Sequence, residues 1–261
     1  MIREMSVAGT FYPAREVELE RYFEHFNKIY DEDHSLPEVN SKAVIVPHAG
    51  YIYSGYTANI AYRILQNSNV KEIVLIGPSH KVAFDGISIS NAQEYATPCG
   101  NIKASKALVS ELQKQFNLNP ILTPHAEHST EVQFPFIKHY LNGVSIVELV
   151  YSRVNPELIS QIIDFVLQKD DCGVIISTDL SHFHNLENAK KLDTLCLNAI
   201  DTLDIGLLHN GCEACGITGV EAMLTSAKKL NLNSTILDYR TSADASDDDT
   251  RVVGYMSTCF S

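Results

Sequence analysis

The 261-residue sequence predicts an α/β fold in a single domain, with a largely parallel sheet flanked by helices. Three observations predict it. The runs KAVIV (42–46), EIVLI (72–76) and GVIIS (173–177) have the length and unbroken hydrophobicity of strands buried on both faces. Between them lie segments whose apolar residues recur at helical spacing. No internal repeat, low-complexity tract or Pro/Gly/Ser-rich linker divides the chain, so residues 1–261 are expected to form one unit.

The elements follow in order. Leu19, Tyr22, Phe23, Phe26 and Tyr30 predict a helix over 15–30. The strand 42–46 stops at Pro47, and a helix is expected over 55–66. The strand 72–76 is ended by Gly77-Pro78, and the alternation of GISISN predicts a third strand over 86–91. Helices are expected over 106–116 and 130–140, the second capped by Ser129 or Thr130. The run VSIVELVY predicts a strand over 144–151, and Pro156 suits the first turn of a helix over 156–168. After the strand at 173–177, helices are expected over 186–203 and 217–230, and strands over 235–239 and 252–259.

Composition narrows the function. Hydrophobic residues are 45% and charged residues 20%, which is globular rather than disordered. Lys and Arg number 20 against 32 Asp and Glu, a formal charge of −12 that argues against nucleic acid or an anionic membrane as partner. The longest stretch without a charged residue, 43–62, holds Pro47, His48, Gly50, Gly55 and Asn59 and does not read as a membrane span. The first ten residues lack the apolar segment of a signal peptide, which predicts a cytoplasmic protein. In that compartment the six cysteines are expected to stay thiols.

The ten histidines carry the main clue. Each of the three apolar runs leads within a few residues to an imidazole: His48 after 42–46, His80 after 72–76 and His182 after 173–177. In a parallel sheet, ligands bind beyond the C-terminal strand ends, so the three side chains are expected at one rim. A single histidine in a loop is more often a surface or capping residue; three at equivalent topological positions favour function. Imidazole is the commonest transition-metal ligand, and two histidines with one carboxylate make the open site of non-haem Fe(II) enzymes. Asp244, close after the strand at 235–239, is the best-placed carboxylate, and Asp179 is its competitor. His128, in PHAEHSTE, either faces the same cleft or belongs to a polar helix start. Cys212 and Cys215 form a lone CxxC, a weak metal or redox signal without a second pair. Cys215, at a helix start, is expected to line the cleft with a lowered pKa.

These segments resemble the Memo family, in its prokaryotic branch protein B of the AmmeMemoRadiSam system. The resemblance rests on Ala8-Gly9-Thr10-Phe11-Tyr12-Pro13, Pro47-His48-Ala49-Gly50-Tyr51 with Ser54-Gly55, Gly77-Pro78-Ser79-His80, Glu127-His128-Ser129, Asp179-Leu180-Ser181-His182, Cys215-Gly216 and Val252-Val253-Gly254-Tyr255, in order along nearly the whole chain. That family is similar in fold to the class III extradiol dioxygenases, whose iron is held by two histidines and a carboxylate. The resemblance implies that His48 and His80 are metal ligands and that His182 is the acid/base histidine. His128 and Asp179 are further catalytic candidates by their place in the sequence. In animal Memo the third metal contact is a cysteine before the last strand. Ala245 stands at that position here, with Asp244 beside it, which points to an oxygen ligand and to Fe(II) ahead of copper or zinc.

Two functions are therefore expected to compete. One is a metal-dependent redox enzyme of dioxygenase type. The other is a non-catalytic protein that binds a peptide or partner, including the proteins of the same system, in the same cleft, with Tyr51 and Tyr53 as walls. Zinc hydrolysis ranks third.

Overall fold

The apolar runs form the middle of one sheet. The computed structural model describes every residue from Met1 to Ser261 except Leu122. The strands are β1 (Ile2–Arg3), β2 (Ala43–Val46), β3 (Glu72–Pro78), β4 (Ile87–Ile89), β5 (Glu94–Tyr95), β6 (Ile102–Ala104), β7 (Ser145–Tyr151), β8 (Cys172–Ser177), β9 (His182–His184), β10 (Ser234–Thr241) and β11 (Val252–Phe260). The helices are α1 (Glu16–Asp33), α2 (Tyr56–Gln66), α3 (Lys106–Phe116), α4 (His128–Glu131), α5 (Phe134–Tyr140), α6 (Pro156–Leu167), α7 (Leu186–Asp201), α8 (Ile205–Leu208) and α9 (Ile217–Leu230).

The sheet order is β1-β5-β6-β7-β3-β8-β2-β11-β10, with β4 on β7 and β9 on β11. The five strands from β6 to β2 are parallel, whereas β11 and β10 join antiparallel. The sheet is thus mixed, a correction to the largely parallel expectation at its margins. An apolar run reports burial on both faces but not strand direction.

Side-chain alternation divides the core. Ala43, Ile45, Val74 and Ile76 face a layer containing Leu112 of α3, Ile163 of α6, Ile200 of α7 and Met223 of α9. Val44, Val46, Ile73 and Leu75 face Phe23 of α1, Ile60 of α2 and Phe136 of α5. Helices therefore cover both faces, as the sequence predicted. Among the described residues no helix is long and apolar enough to cross a membrane.

Two expectations fail locally. The helix expected over 130–140 is split into α4 and α5, because Pro135 lies in the first turn of α5 and has no N–H to continue the earlier ladder. The cap of α4 is Glu127, not Ser129 or Thr130; its carboxylate accepts the N–H groups of His128 and Ser129. The cysteines also depart from expectation: Cys196 of α7 is disulfide-bonded to Cys212, leaving Cys99, Cys172, Cys215 and Cys259 as thiols. Cys212 is therefore not available to a CxxC pair.

Candidate metal centre

Parallel register brings the expected strand ends together. Val46 of β2 lies beside Ser177 of β8, and Ile76 of β3 beside Ile176. His48 and His80 thus leave the sheet at the same edge, with ring centroids 5.1 Å apart. His128, at the start of α4, completes the group: its ring lies 5.4 Å from His48 and 4.7 Å from His80. One ring nitrogen from each of the three lies within 4.8 Å of the others. This is a clustered three-histidine site able to coordinate a metal ion.

Hydrogen bonds fix the form of each imidazole. His48 Nδ1 lies 2.9 Å from Ser177 Oγ. That hydroxyl donates its one proton to the Ser129 carbonyl at 2.5 Å and accepts from Gln133 Nε2 at 3.0 Å. Tyr62 holds the Gln133 amide in this orientation by donating to Oε1 at 2.9 Å. With its proton committed, Ser177 can only accept from His48, so Nδ1 carries the hydrogen and Nε2 keeps its lone pair. His48 is buried. Burial, reinforced by the charges of His80 and His128, lowers its pKa well below the ordinary value.

Glu127 performs the same task for the other two. Its Oε1 lies 2.7 Å from His128 Nδ1 and 3.4 Å from His80 Nδ1, while Oε2 accepts the His80 backbone N–H at 2.7 Å. Burial opposes its ionisation, but hydrogen bonds from His128 and His80 hold the carboxyl well below the usual carboxylate range. A carboxylate behind the Nδ1 of a histidine leaves Nε2 as the outward donor. Arg3 in turn donates to the Glu127 carbonyl at 2.9 Å and pairs with Glu131 at 2.8 Å and Glu148 at 3.2 Å. Three imidazoles gathered in this way, each with Nδ1 held from behind, suit a transition-metal cation.

The remaining expected residues lie at graded distances. Asp179 Oδ1 accepts the His48 N–H at 2.7 Å, and Oδ2 lies 3.9 Å from His48 Nε2. Burial raises its carboxyl pKa, against the His48 N–H and the nearby charge of His182. His182 is half-buried on β9, paired with Val253, and stands outside the three-ring cluster. Tyr51 is buried, and its hydroxyl donates to the Val132 carbonyl at 2.9 Å, so it supports the wall from within. Tyr53 is 42% exposed. Cys215 Sγ lies 3.4 Å from His48 Nε2. Its thiol is pushed up to about 12 by burial, with Asp179 adding to the effect, the reverse of the lowered value expected.

Asp244 stands apart from the three rings. Its carboxylate accepts the N–H of Thr241 at 2.7 Å and the Thr241 hydroxyl at 3.1 Å, closing a capping box at the end of β10. It is exposed and not among the clustered donors. His128 is the third ring of the cluster. Glu127, Ser177 and Gln133 had no assigned role in the sequence; an acidic residue next to a cleft histidine was the one signal for Glu127. A cavity of about 930 Å³ adjoins the cluster through Phe11, whose ring lies 4.9 Å from that of His128, and is lined also by Tyr12, Arg15, Arg21, Tyr22 and Ile52.

The family model described as Memo-like protein matches residues 3–259. A MEMO1 family protein of Aquifex aeolicus is 32% identical over 270 residues, covering 99% of both chains. One from Thermoplasma volcanium is 30% identical over 266 residues, covering 98% of this chain and 97% of its own. One from Sulfurisphaera tokodaii is 32% identical over 282 residues, covering 100% and 99%. Matched from end to end by the family model and by these relatives, the chain belongs to the Memo-like protein family.

Proposed function

We propose that the protein is a metal-dependent redox protein, related in its chemistry to the non-haem dioxygenases, with the cation held by His48, His80 and His128. One observation carries the reading: one ring nitrogen from each of three imidazoles on separate segments lies within 4.8 Å of the others, and the Nδ1 positions are occupied by Ser177 and Glu127. Fe(II) is the first choice, with copper and zinc as alternatives that imidazole also accepts. The metal would supply a redox-active centre with coordination positions left open. The protein's own residues do the rest. Glu127 and Ser177 hold the rings. His182 serves as acid or base, with Asp179 beside the cluster as its partner. Phe11 packs on His128.

The cavity of about 930 Å³ beside Phe11 favours a second reading, a protein that binds a peptide or another AmmeMemoRadiSam protein without catalysis. The test is metal content of untagged protein, before and after anaerobic loading with Fe(II), in the parent and in His48→Ala and His80→Ala. One tightly bound ion in the parent and loss in both variants supports the first reading, and oxygen consumption by the loaded parent then screens candidate small molecules. A parent that holds no ion, or variants that hold it equally well, leaves the binding reading. Bound zinc with hydrolytic turnover would replace both.

A further inference from the structure

We infer that the protein forms a two-fold symmetric dimer by antiparallel pairing of β10 with β10 of a second copy. The sheet has two ends. One is the two-residue β1; the other is β10, eight residues long and joined to the sheet by β11 alone among the described residues. Helices already cover both faces of β10. Asp238 accepts the Thr57 hydroxyl of α2 at 2.5 Å on one side, and the Tyr239 hydroxyl donates to Asp193 of α7 at 2.8 Å on the other. Yet every residue from Ser234 to Arg240 is partly exposed. With both faces covered, that uniform exposure comes from the open edge. The segment STILDYRT holds neither Pro nor Lys, residues that commonly blunt such edges.

Backbone direction decides what the edge offers. Asn233 and Ser261 exchange their N–H and C=O groups at 2.8 and 3.0 Å, which sets the alternation along the pair. On β11 the backbone groups of Cys259, Ser257 and Tyr255 therefore also face β10. Past a bulge between Ile236 and Asp238, Ser257 is paired with Asp238 and Tyr255 with Arg240. Tyr239, between these two, turns its N–H and C=O outward, and neither has a partner among the described residues. A second copy related by a two-fold axis at Tyr239 supplies both missing partners from its own Tyr239 backbone.

The side chains match under the same axis. Asp238 then stands opposite the partner's Arg240, and Arg240 opposite the partner's Asp238, as non-hydrogen-bonded pairs with Cα atoms about 4.5 Å apart. Both side chains keep part of their surface in solvent. Within one chain, Thr57 and Arg240 Nε both meet Oδ2 of Asp238, the latter at 3.4 Å, and Oδ1 accepts no hydrogen bond among the described residues. Arg240 is held toward the edge by stacking on Tyr56, with Cζ 3.7 Å from the ring centroid. A single operation thus forms two ion pairs, and a slip of register separates both.

Analytical ultracentrifugation of the parent tests this, with exchange of the Tyr239 amide followed at the same concentrations. A dimer is expected at micromolar concentration, with a Tyr239 amide that exchanges faster on dilution. Asp238→Lys and Arg240→Glu each set like charges opposite one another, and each is expected to raise the dimer dissociation constant by about 10-fold or more. Mixed in equal amounts, the two variants are expected to pair with each other about as tightly as the parent, because every facing pair then has opposite charges. A dimer whose Tyr239 amide ignores dilution, variants that dimerise like the parent, or a mixture of correctly folded variants that stays monomeric overturns the proposal. A monomeric parent also overturns it, and leaves the edge to an extended segment of another protein. Where a variant loses its fold, the amide measurement on the parent decides alone.

Discussion

Ser177 accepts the Nδ1 hydrogen of His48 at 2.9 Å because its own proton is committed to Ser129. A residue inside a strand thereby decides which nitrogen of a ring beyond the neighbouring strand is free to bind. Ser177→Ala is expected to weaken metal binding by about 10–100-fold, the usual cost of losing such a partner, with the fold intact. Glu127→Gln should act similarly through His80 and His128, since an amide oxygen accepts more weakly than a carboxylate. Competition titration with a chromophoric chelator measures both; affinities equal to the parent would show that ring orientation does not depend on these contacts.

Gly77 controls how closely His80 and His128 approach. A Cβ there would meet Ser129 Oγ at 2.7 Å and Thr130 Cγ2 at 2.9 Å, where Ser129 also donates to the Pro78 carbonyl at 2.7 Å. Gly77→Ala must push α4 away from the end of β3. The expected cost is about 1–3 kcal/mol of stability, with weaker metal binding as the rings separate. Urea denaturation and the same chelator titration read the two effects, and parent-like values in both would mean that the contact relaxes freely.

His48, His80 and their common edge were legible in the sequence because buried parallel strands announce themselves as short apolar runs, and ligands gather at their C-terminal ends. The third ring was harder. Treating 130–140 as one helix put His128 before a cap, although Pro135 marked the break that makes α4 a separate turn led by that histidine. Asp244 looked well placed by sequence order, yet a short acidic side chain next to a turn finds backbone N–H groups of its own to bind. The pairing of Cys196 with Cys212 depends on how the loop before α9 folds back on α7, which residue spacing does not report.

Behind the three-histidine cluster lies a buried ionic group whose stability contribution depends on pH. Arg3 is nearly buried and bonds to Glu131 and Glu148, both fully so. Burial opposes ionisation of these carboxyls, but Arg3 and their hydrogen bonds hold both pKa values below the ordinary one. A depressed carboxyl contributes stability that is complete above its unfolded value of about 4.3 and is lost as pH falls through the folded value. Unfolding free energy of the metal-free protein should therefore drop as pH falls below about 4.3. Arg3→Gln should cost about 3–5 kcal/mol at neutral pH by stranding the carboxylates, and should flatten the acid dependence. Chemical denaturation across a pH series decides; a variant with the parent's stability and slope would remove this network from the account.

The Cys196–Cys212 disulfide closes a loop with a sequence separation of 16, and that loop ends three residues before Cys215. Cross-linking a loop of this length restricts the unfolded chain by about 3 kcal/mol. Cys196→Ser is expected to lose about that much stability under non-reducing conditions, and a reductant should bring the parent down to the same level while leaving the variant unchanged. Because the loop also carries Cys215 to its position against His48, reduction should loosen metal binding in the parent but not in the variant. Denaturation midpoints and metal affinity measured with and without reductant test both statements. If reductant moves parent and variant alike, the effect comes from another thiol, and the disulfide has no hold on the site.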